Sequence, residues 1–331
     1  MLGRLLGIVL ALVGLVALVA VGGYFALKRA DIPYETLATH YENSASRYVD
    51  LPGGVRMHYR DQGAGPTLLL VHGFSASLHT WEPWVEQLDD DYRVITLDLP
   101  GHGLTSAPAG YQPSMQGFAA IVEEFAKSQD IARFAIGGNS MGGHVAWEFA
   151  LAHPERVEAL ILVDSAGWPD TRADPENAPL VFRLLANPLA ASLLRDLDTT
   201  RLTRDALISS FPAHPALVDE AMVARYTELS RAPGHRDMLL QLMSGSARTY
   251  ATPERLAALS APALILHGAR DVLIPPENAQ RFGDAIAHSE LVIFEDVGHA
   301  PQEEIPEDSA AVARAFLTRI AAPPAPAAAA Q

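Results

Sequence analysis

Hydrophobic and polar positions divide the chain into two unlike parts. From Leu5 to Phe25 no side chain is charged, and the apolar run reaches Leu27 before Lys28 and Arg29 close it. A helix of that length, rising about 1.5 Å per residue, matches a hydrocarbon core of roughly 30 Å, so residues 1–29 are expected to form a transmembrane anchor. Tyr24 and Phe25 lie where an interfacial aromatic belt would sit, and Lys28 and Arg29 could reach headgroups. The rival expectation is a cleaved signal peptide, with Ala20-Val21-Gly22 as a weak cleavage site and a secreted product. The side of the membrane stays open, because Lys28 and Arg29 outweigh Arg4 and oppose export of the downstream flank. Residues 30–46 are polar enough to read as a connector.

Beyond Arg47 short apolar runs alternate with helical stretches. Thr67 to Val71, Arg93 to Leu97, Phe134 to Ile136, Ala159 to Val163, Ala263 to Leu266 and Leu291 to Phe294 are nearly unbroken apolar segments. Such runs suit parallel strands covered on both faces. Helical patterns fall between them near 79–89, 114–128, 141–153, 276–287 and 307–320. The alternation predicts a doubly wound, mostly parallel α/β sheet over 47–320. Arg47 to Leu51 and Val55 to Asp61, around Pro52-Gly53-Gly54, predict an antiparallel hairpin at its edge. About 168–256 the strand rhythm stops. Leu180, Leu184, Leu189, Leu193 and Leu197 recur at helical spacing there, which predicts an inserted helical lid, or else additional core helices. The Ala/Pro tail 321–331 is expected to be disordered.

Composition narrows the chemistry. With 49% hydrophobic and 19% charged residues the chain can bury a large core. The net charge of -15 and the scatter of the arginines exclude a nucleic-acid footprint. No cysteine is present, which removes disulfides, thiolate metal sites and a cysteine nucleophile. No His-Glu-x-x-His spacing occurs, so a zinc hydrolase is not supported, and the serine chemistry considered next needs neither a metal nor an organic cofactor.

One serine stands in a run of glycines, Gly137-Gly138-Asn139-Ser140-Met141-Gly142-Gly143, between a predicted strand and a predicted helix. Gly-x-Ser-x-Gly in that setting fits a nucleophile elbow, a tight turn that lifts a hydroxyl above the sheet beside a helix N-terminus. A serine needs a base and the base needs an acid. His299 follows the last strand, and Asp271 follows the strand before it, which preserves the order Ser, Asp, His. Asp164 also ends a strand and is the competing acid. Oxyanion donors would be the backbone N–H groups of Met141, directly after the serine, and of Phe74, in the loop His72-Gly73-Phe74-Ser75. His72 would shape that loop.

His72-Gly73-Phe74, Asp98-Leu99-Pro100-Gly101-His102-Gly103, the serine elbow, Gly268-x-x-Asp271-x-x-x-Pro275 and Gly298-His299 together resemble the α/β-hydrolase family over residues 47–320. The oxyanion loop and N-terminal anchor look most like membrane-associated monoacylglycerol lipases and related bacterial lipases. That resemblance implies hydrolysis of lipid-like carboxylic esters through Ser140, His299 and Asp271. Serine rather than aspartate at the elbow departs from the haloalkane dehalogenase and epoxide hydrolase branches. The same elbow resembles the C–C bond hydrolases of vinylogous diketones, although Phe74-Ser75-Ala76 departs from their glycine- and proline-rich loop. Cofactor-free perhydrolase chemistry and a non-catalytic binding role on the same fold are the remaining alternatives.

Overall fold

The computed structural model describes residues 2–169, 187, 190–191, 194–244 and 249–321. Eight strands, β1 (Ser46–Leu51), β2 (Val55–Gln62), β3 (Thr67–Val71), β4 (Arg93–Leu97), β5 (Phe134–Asn139), β6 (Val157–Val163), β7 (Ala263–Gly268) and β8 (Ser289–Phe294), form one sheet in the order β1-β2-β4-β3-β5-β6-β7-β8. The expected hairpin is β1 and β2, antiparallel with Leu51 opposite Val55, and β2 pairs antiparallel with β4. All other pairs are parallel. From β3 the chain steps out to β4 and then crosses back to β5, so a crevice opens at the carboxyl ends of β3 and β5.

The helices, in chain order, are α1 (Leu2–Leu27), α2 (Tyr34–Tyr41), α3 (Glu82–Leu88), α4 (Met115–Ser128), α5 (Met141–Ala152), α6 (Thr200–Ser210), α7 (Glu220–Leu229), α8 (His235–Met243), α9 (Pro253–Leu256), α10 (Pro276–Ala285), α11 (Pro301–Glu304) and α12 (Pro306–Ala321). Strand side chains alternate between two cores. Leu69 and Val71 face α4, α5 and α10 with Phe118, Val145 and Phe282, while Leu68 and Leu70 face α3 and α12 with Trp84 and Phe316. This is the period of two that a strand covered on both faces must show. Each fully buried Leu or Phe contributes roughly 1.5–3 kcal/mol, so this double burial holds the sheet rigid beneath the crevice.

Between β6 and β7 the described residues are helical, as expected. Their apolar side chains serve two ends. Leu207, Phe211, Val218, Met222 and Val223 of α6, α7 and the segment between them pack on one another, whereas Leu242 and Met243 of α8 line the large cavity described below. Leu180, Leu184, Leu189 and Leu193 lie outside the described residues, as does the tail beyond Ala321.

The N-terminal region carries two features that its sequence did not suggest. Leu6–Leu27 is long and apolar enough to cross a membrane, with a mean hydropathy of 2.7 and none of it buried. Its basic flank, however, turns back to the protein: Lys28 pairs with Asp196 at 3.3 Å and Arg29 with Asp198 at 2.9 Å. Backbone bonds from Asp198 N to Leu27 O and from Arg29 N to Asp196 O reinforce the join. Residues 30–46, expected as a connector, include a docked helix. Ile32 N donates to Arg231 O, and α2 buries Leu37 completely against Leu104, Leu229 and Ala232.

Candidate active site

Ser140 occupies the sharp turn between β5 and α5, with φ 55° and ψ -115°. That backbone is strained for any residue with a Cβ, and it persists because its surroundings fix it. Ser140 N donates to Val163 O at 2.9 Å, and Ser140 O accepts from Ala166 N at 3.0 Å. Close packing explains the flanking glycines: a Cβ on Gly138 would strike the Gly142 carbonyl, and one on Gly142 would strike the Val71 carbonyl.

His299 sits in the turn after β8. Its N–H donates to Ser210 O at 2.9 Å, and its carbonyl accepts from Asn139 Nδ2 at 2.9 Å, which ties the turn to the residue beside Ser140. Glu304 Oε1 accepts from Gly298 N at 2.8 Å and steadies the same turn. His299 Nδ1 lies 2.7 Å from Asp271 Oδ2, while Asp271 Oδ1 accepts from Leu273 N at 2.7 Å and Ile274 N at 3.0 Å. Burial pushes the Asp271 carboxyl up, but the charge and hydrogen bond of His299, the Ile274 N–H and His267 outweigh it and hold the group below the usual carboxylate range. Between the two competing acids, geometry therefore pairs Asp271 with the imidazole. Among the described hydrogen bonds none joins the Ser140 hydroxyl to His299, a link that often tightens only with substrate present.

The loop after β3 packs against the elbow, where a Cβ on Gly73 would lie 3.3 Å from Ser140 Cβ. Phe74 and Met141 both line the cavity at Ser140, and among the described turn and loop residues no backbone carbonyl accepts from their N–H groups. His72 is fully buried, donates from Nδ1 to Gly73 O at 2.7 Å and accepts at Nε2 from Leu99 N at 3.0 Å. Burial lowers its pKa, so it stays neutral and shapes the loop.

The cavity holds about 420 Å³. Phe74, Met115, Trp168, Leu242, Met243 and Ile274 supply its apolar walls. His144 lines it as well, its ring stacked on Trp147 at 4.5 Å and its Nε2 3.6 Å from Glu148 Oε1. Glu148 is in turn bound by Arg255 at 2.8 Å and by Thr249. Sequence reasoning passed over His144, Glu148 and Asn139. The i, i+4 spacing of His144 and Glu148 was the available signal for the first two, and none pointed to Asn139.

A family model described as the alpha/beta hydrolase fold matches residues 66–306. The chain belongs to the α/β-hydrolase family. Among curated relatives of this α/β hydrolase, the 2-hydroxy-6-oxononadienedioate/2-hydroxy-6-oxononatrienedioate hydrolase of Paraburkholderia phymatum is 29% identical over 80% of this chain and 93% of its own length. Among solved structures, a thermophilic esterase from Thermogutta terrifontis is 28% identical with a TM-score of 0.70, covering 84% of this chain and all but 1% of its own, that is 99%. A bacterial membrane phospholipase A is 27% identical with a TM-score of 0.68, covering 97% of this chain and 99% of its own. Several curated relatives are thus C–C bond hydrolases of meta-cleavage products rather than monoacylglycerol lipases, which corrects the narrower resemblance, although esterase and phospholipase structures also resemble this hydrolase.

Proposed function

We propose that this α/β hydrolase is a serine esterase for acyl esters with an apolar acyl group, lipid esters included. The observation that carries the reading is the buried His299–Asp271 pair at the same sheet edge as the strained Ser140, which opens into an apolar cavity. In this reading His299 Nε2 takes the Ser140 proton as Oγ attacks the ester carbonyl. The N–H groups of Phe74 and Met141 hold the oxyanion, His299⁺ returns the proton to the leaving alcohol, and the imidazole then activates water to release the acid. Asp271 keeps the ring oriented and stabilises its cation. Residues around 168–256 act as a lid over the acyl pocket, and residues 1–29 hold the enzyme at a bilayer. The likeness to a membrane phospholipase A along nearly the whole chain, the apolar N-terminal helix included, supports that placement.

A second reading is favoured by the names of the curated relatives: the same serine and base attacking the ketone of a dienedioate, with cleavage of a C–C bond. A dienedioate carries two carboxylates, and the dienoic acid for which another relative is named carries one; burying them calls for cationic partners. Among the described residues lining the cavity there is no Lys or Arg. A substrate panel separates the two readings, with p-nitrophenyl esters from acetyl to lauroyl beside a 2-hydroxy-6-oxo-dienedioate. Higher kcat/KM on the longer esters, abolished by several orders of magnitude in Ser140→Ala, is the expected result. Turnover of the dienedioate alone would transfer the enzyme to the C–C branch, and undiminished ester turnover in Ser140→Ala would remove the nucleophile assignment.

A further inference from the structure

Two carboxyls stand behind His299. Asp164, at the carboxyl end of β6, is fully buried beside Asp271, and one oxygen of each lies with a nitrogen of His299 inside a group spanning no more than 4.8 Å. The groups facing Asp164 are Asp271, His267 (3.5 Å from Nε2 to Oδ1), His299 and, further off, Glu304. His267 spends its Nε2 on Ile274 O at 3.1 Å and is kept neutral by burial. Two adjacent buried carboxylates cannot both ionise without a large repulsive cost, so one of them keeps a proton.

The donors are divided unequally between them. Asp271 accepts two backbone N–H bonds at Oδ1 and His299 at Oδ2. Asp164 accepts one, from Gly268 N to Oδ1 at 2.9 Å, and its buried Oδ2 meets no donor among the described residues. The anion therefore belongs on Asp271 and the proton on Asp164, one of whose oxygens lies within 4.8 Å of an Asp271 oxygen that can accept it. Burial first, and the charge of Asp271 next, act in the same direction by pushing the Asp164 carboxyl well above the usual range. The site maintains this contact with Asp164 at φ 44°, a backbone strained for an aspartate and tolerated best by Asn and Asp among side chains bearing a Cβ.

We propose that Asp164 is a positioning residue, a neutral carboxyl whose O–H donates to Asp271 and holds that carboxylate on His299 Nδ1. The inference rests on the triad reading of Ser140, His299 and Asp271. It makes Asp164 neither a spare acid nor a passive filler, because its value lies in the hydrogen it carries.

The variant Asp164→Asn is the discriminating test, since an amide replaces the O–H by an N–H toward Asp271 and keeps a carbonyl for Gly268 N–H. Asp164→Asn should hold kcat/KM within about threefold of wild type, whereas Asp164→Ala should lower kcat about tenfold or more with KM little changed, the loss expected for one hydrogen bond to a charged acceptor. Infrared difference spectra at neutral pH should show one neutral-carboxyl C=O band in wild type that Asp164→Asn lacks. That band should persist in Ser140→Ala, so it reports on the carboxyl pair even if the nucleophile has been misassigned. A hundredfold loss in a folded Asp164→Asn, or spectra in which no such band disappears, would overturn the proposal. Should Asp164→Ala fail to fold, the infrared comparison between wild type and Asp164→Asn decides alone.

Discussion

A carboxyl removed from water holds its proton unless nearby donors replace the lost hydration, and Glu303 illustrates how this competition bears on stability as well as on chemistry. Its side chain is 7% exposed. Burial raises its pKa from 4.5 to about 7, against the opposing pull of Arg225 and of the Thr80 hydroxyl. A raised acid is neutral in the folded chain while already ionised in the unfolded one, so between pH 4.5 and about 7 stability falls as pH rises, and above that window the loss is complete. Glu303→Gln should remove this dependence. Calorimetry is expected to give it a Tm higher than wild type by a few degrees at alkaline pH, roughly what a kilocalorie or two yields in a chain of this size, with no gain at pH 4. A Tm difference independent of pH would mean that the carboxyl is not neutral in the folded protein. The site residues differ in the same physical terms in how far they could be read from sequence. Ser140, Asp271 and His299 announce themselves because each ends a strand inside a short local pattern. The preference for Asp271 over Asp164 rests, in the sequence, on the family resemblance alone, because both follow strands; the hydrogen bond from His299 that sets Asp271 apart exists only in the assembled sheet.

Elements were legible where local pattern and burial agree. The strands from β3 to β7 are covered on both faces, so their sequences are mostly apolar and short; β3 and β4 have the expected bounds, whereas β5, β6 and β7 run further, through Gly137 to Asn139, Val157 to Glu158 and His267 to Gly268. The helices that flank them carry apolar stripes at the expected spacing. In contrast, α2 carries a single fully buried residue, and the partners of that residue, Leu104, Leu229 and Ala232, are contributed by distant parts of the chain. A polar eight-residue stretch with one anchor is indistinguishable from a linker until those partners arrive. The consequence is measurable: Leu37→Ala should cost about 2–5 kcal/mol in urea unfolding, the usual range for emptying a core leucine site. A linker position would show less than about 0.5 kcal/mol, so a small value would return 30–46 to the role of a connector.

At the scale of the whole molecule, the join between α1 and the helices after β6 matters more than the apolar helix alone. Arg236 pairs with Asp31 at 2.6 Å and Asp196 at 3.4 Å, adding to the Lys28 and Arg29 pairs, so an ionic cluster surrounds the point where α1 leaves the folded body. Individually such half-exposed pairs contribute at most about 1 kcal/mol, yet with the backbone bonds of Leu27, Arg29 and Ile32 they fix a direction. These contacts oppose a swivel there. If α1 is inserted as proposed, any tilt of that helix is also a tilt of the enzyme body, and bilayer thickness becomes a variable that the cavity mouth can register. Inserting a flexible Gly-Ser segment between Leu27 and Lys28 would supply the missing joint. Turnover of a dispersed short ester should then be unchanged, whereas turnover of esters embedded in vesicles should lose its dependence on lipid chain length, because a freely pivoting body no longer inherits the angle of its mast.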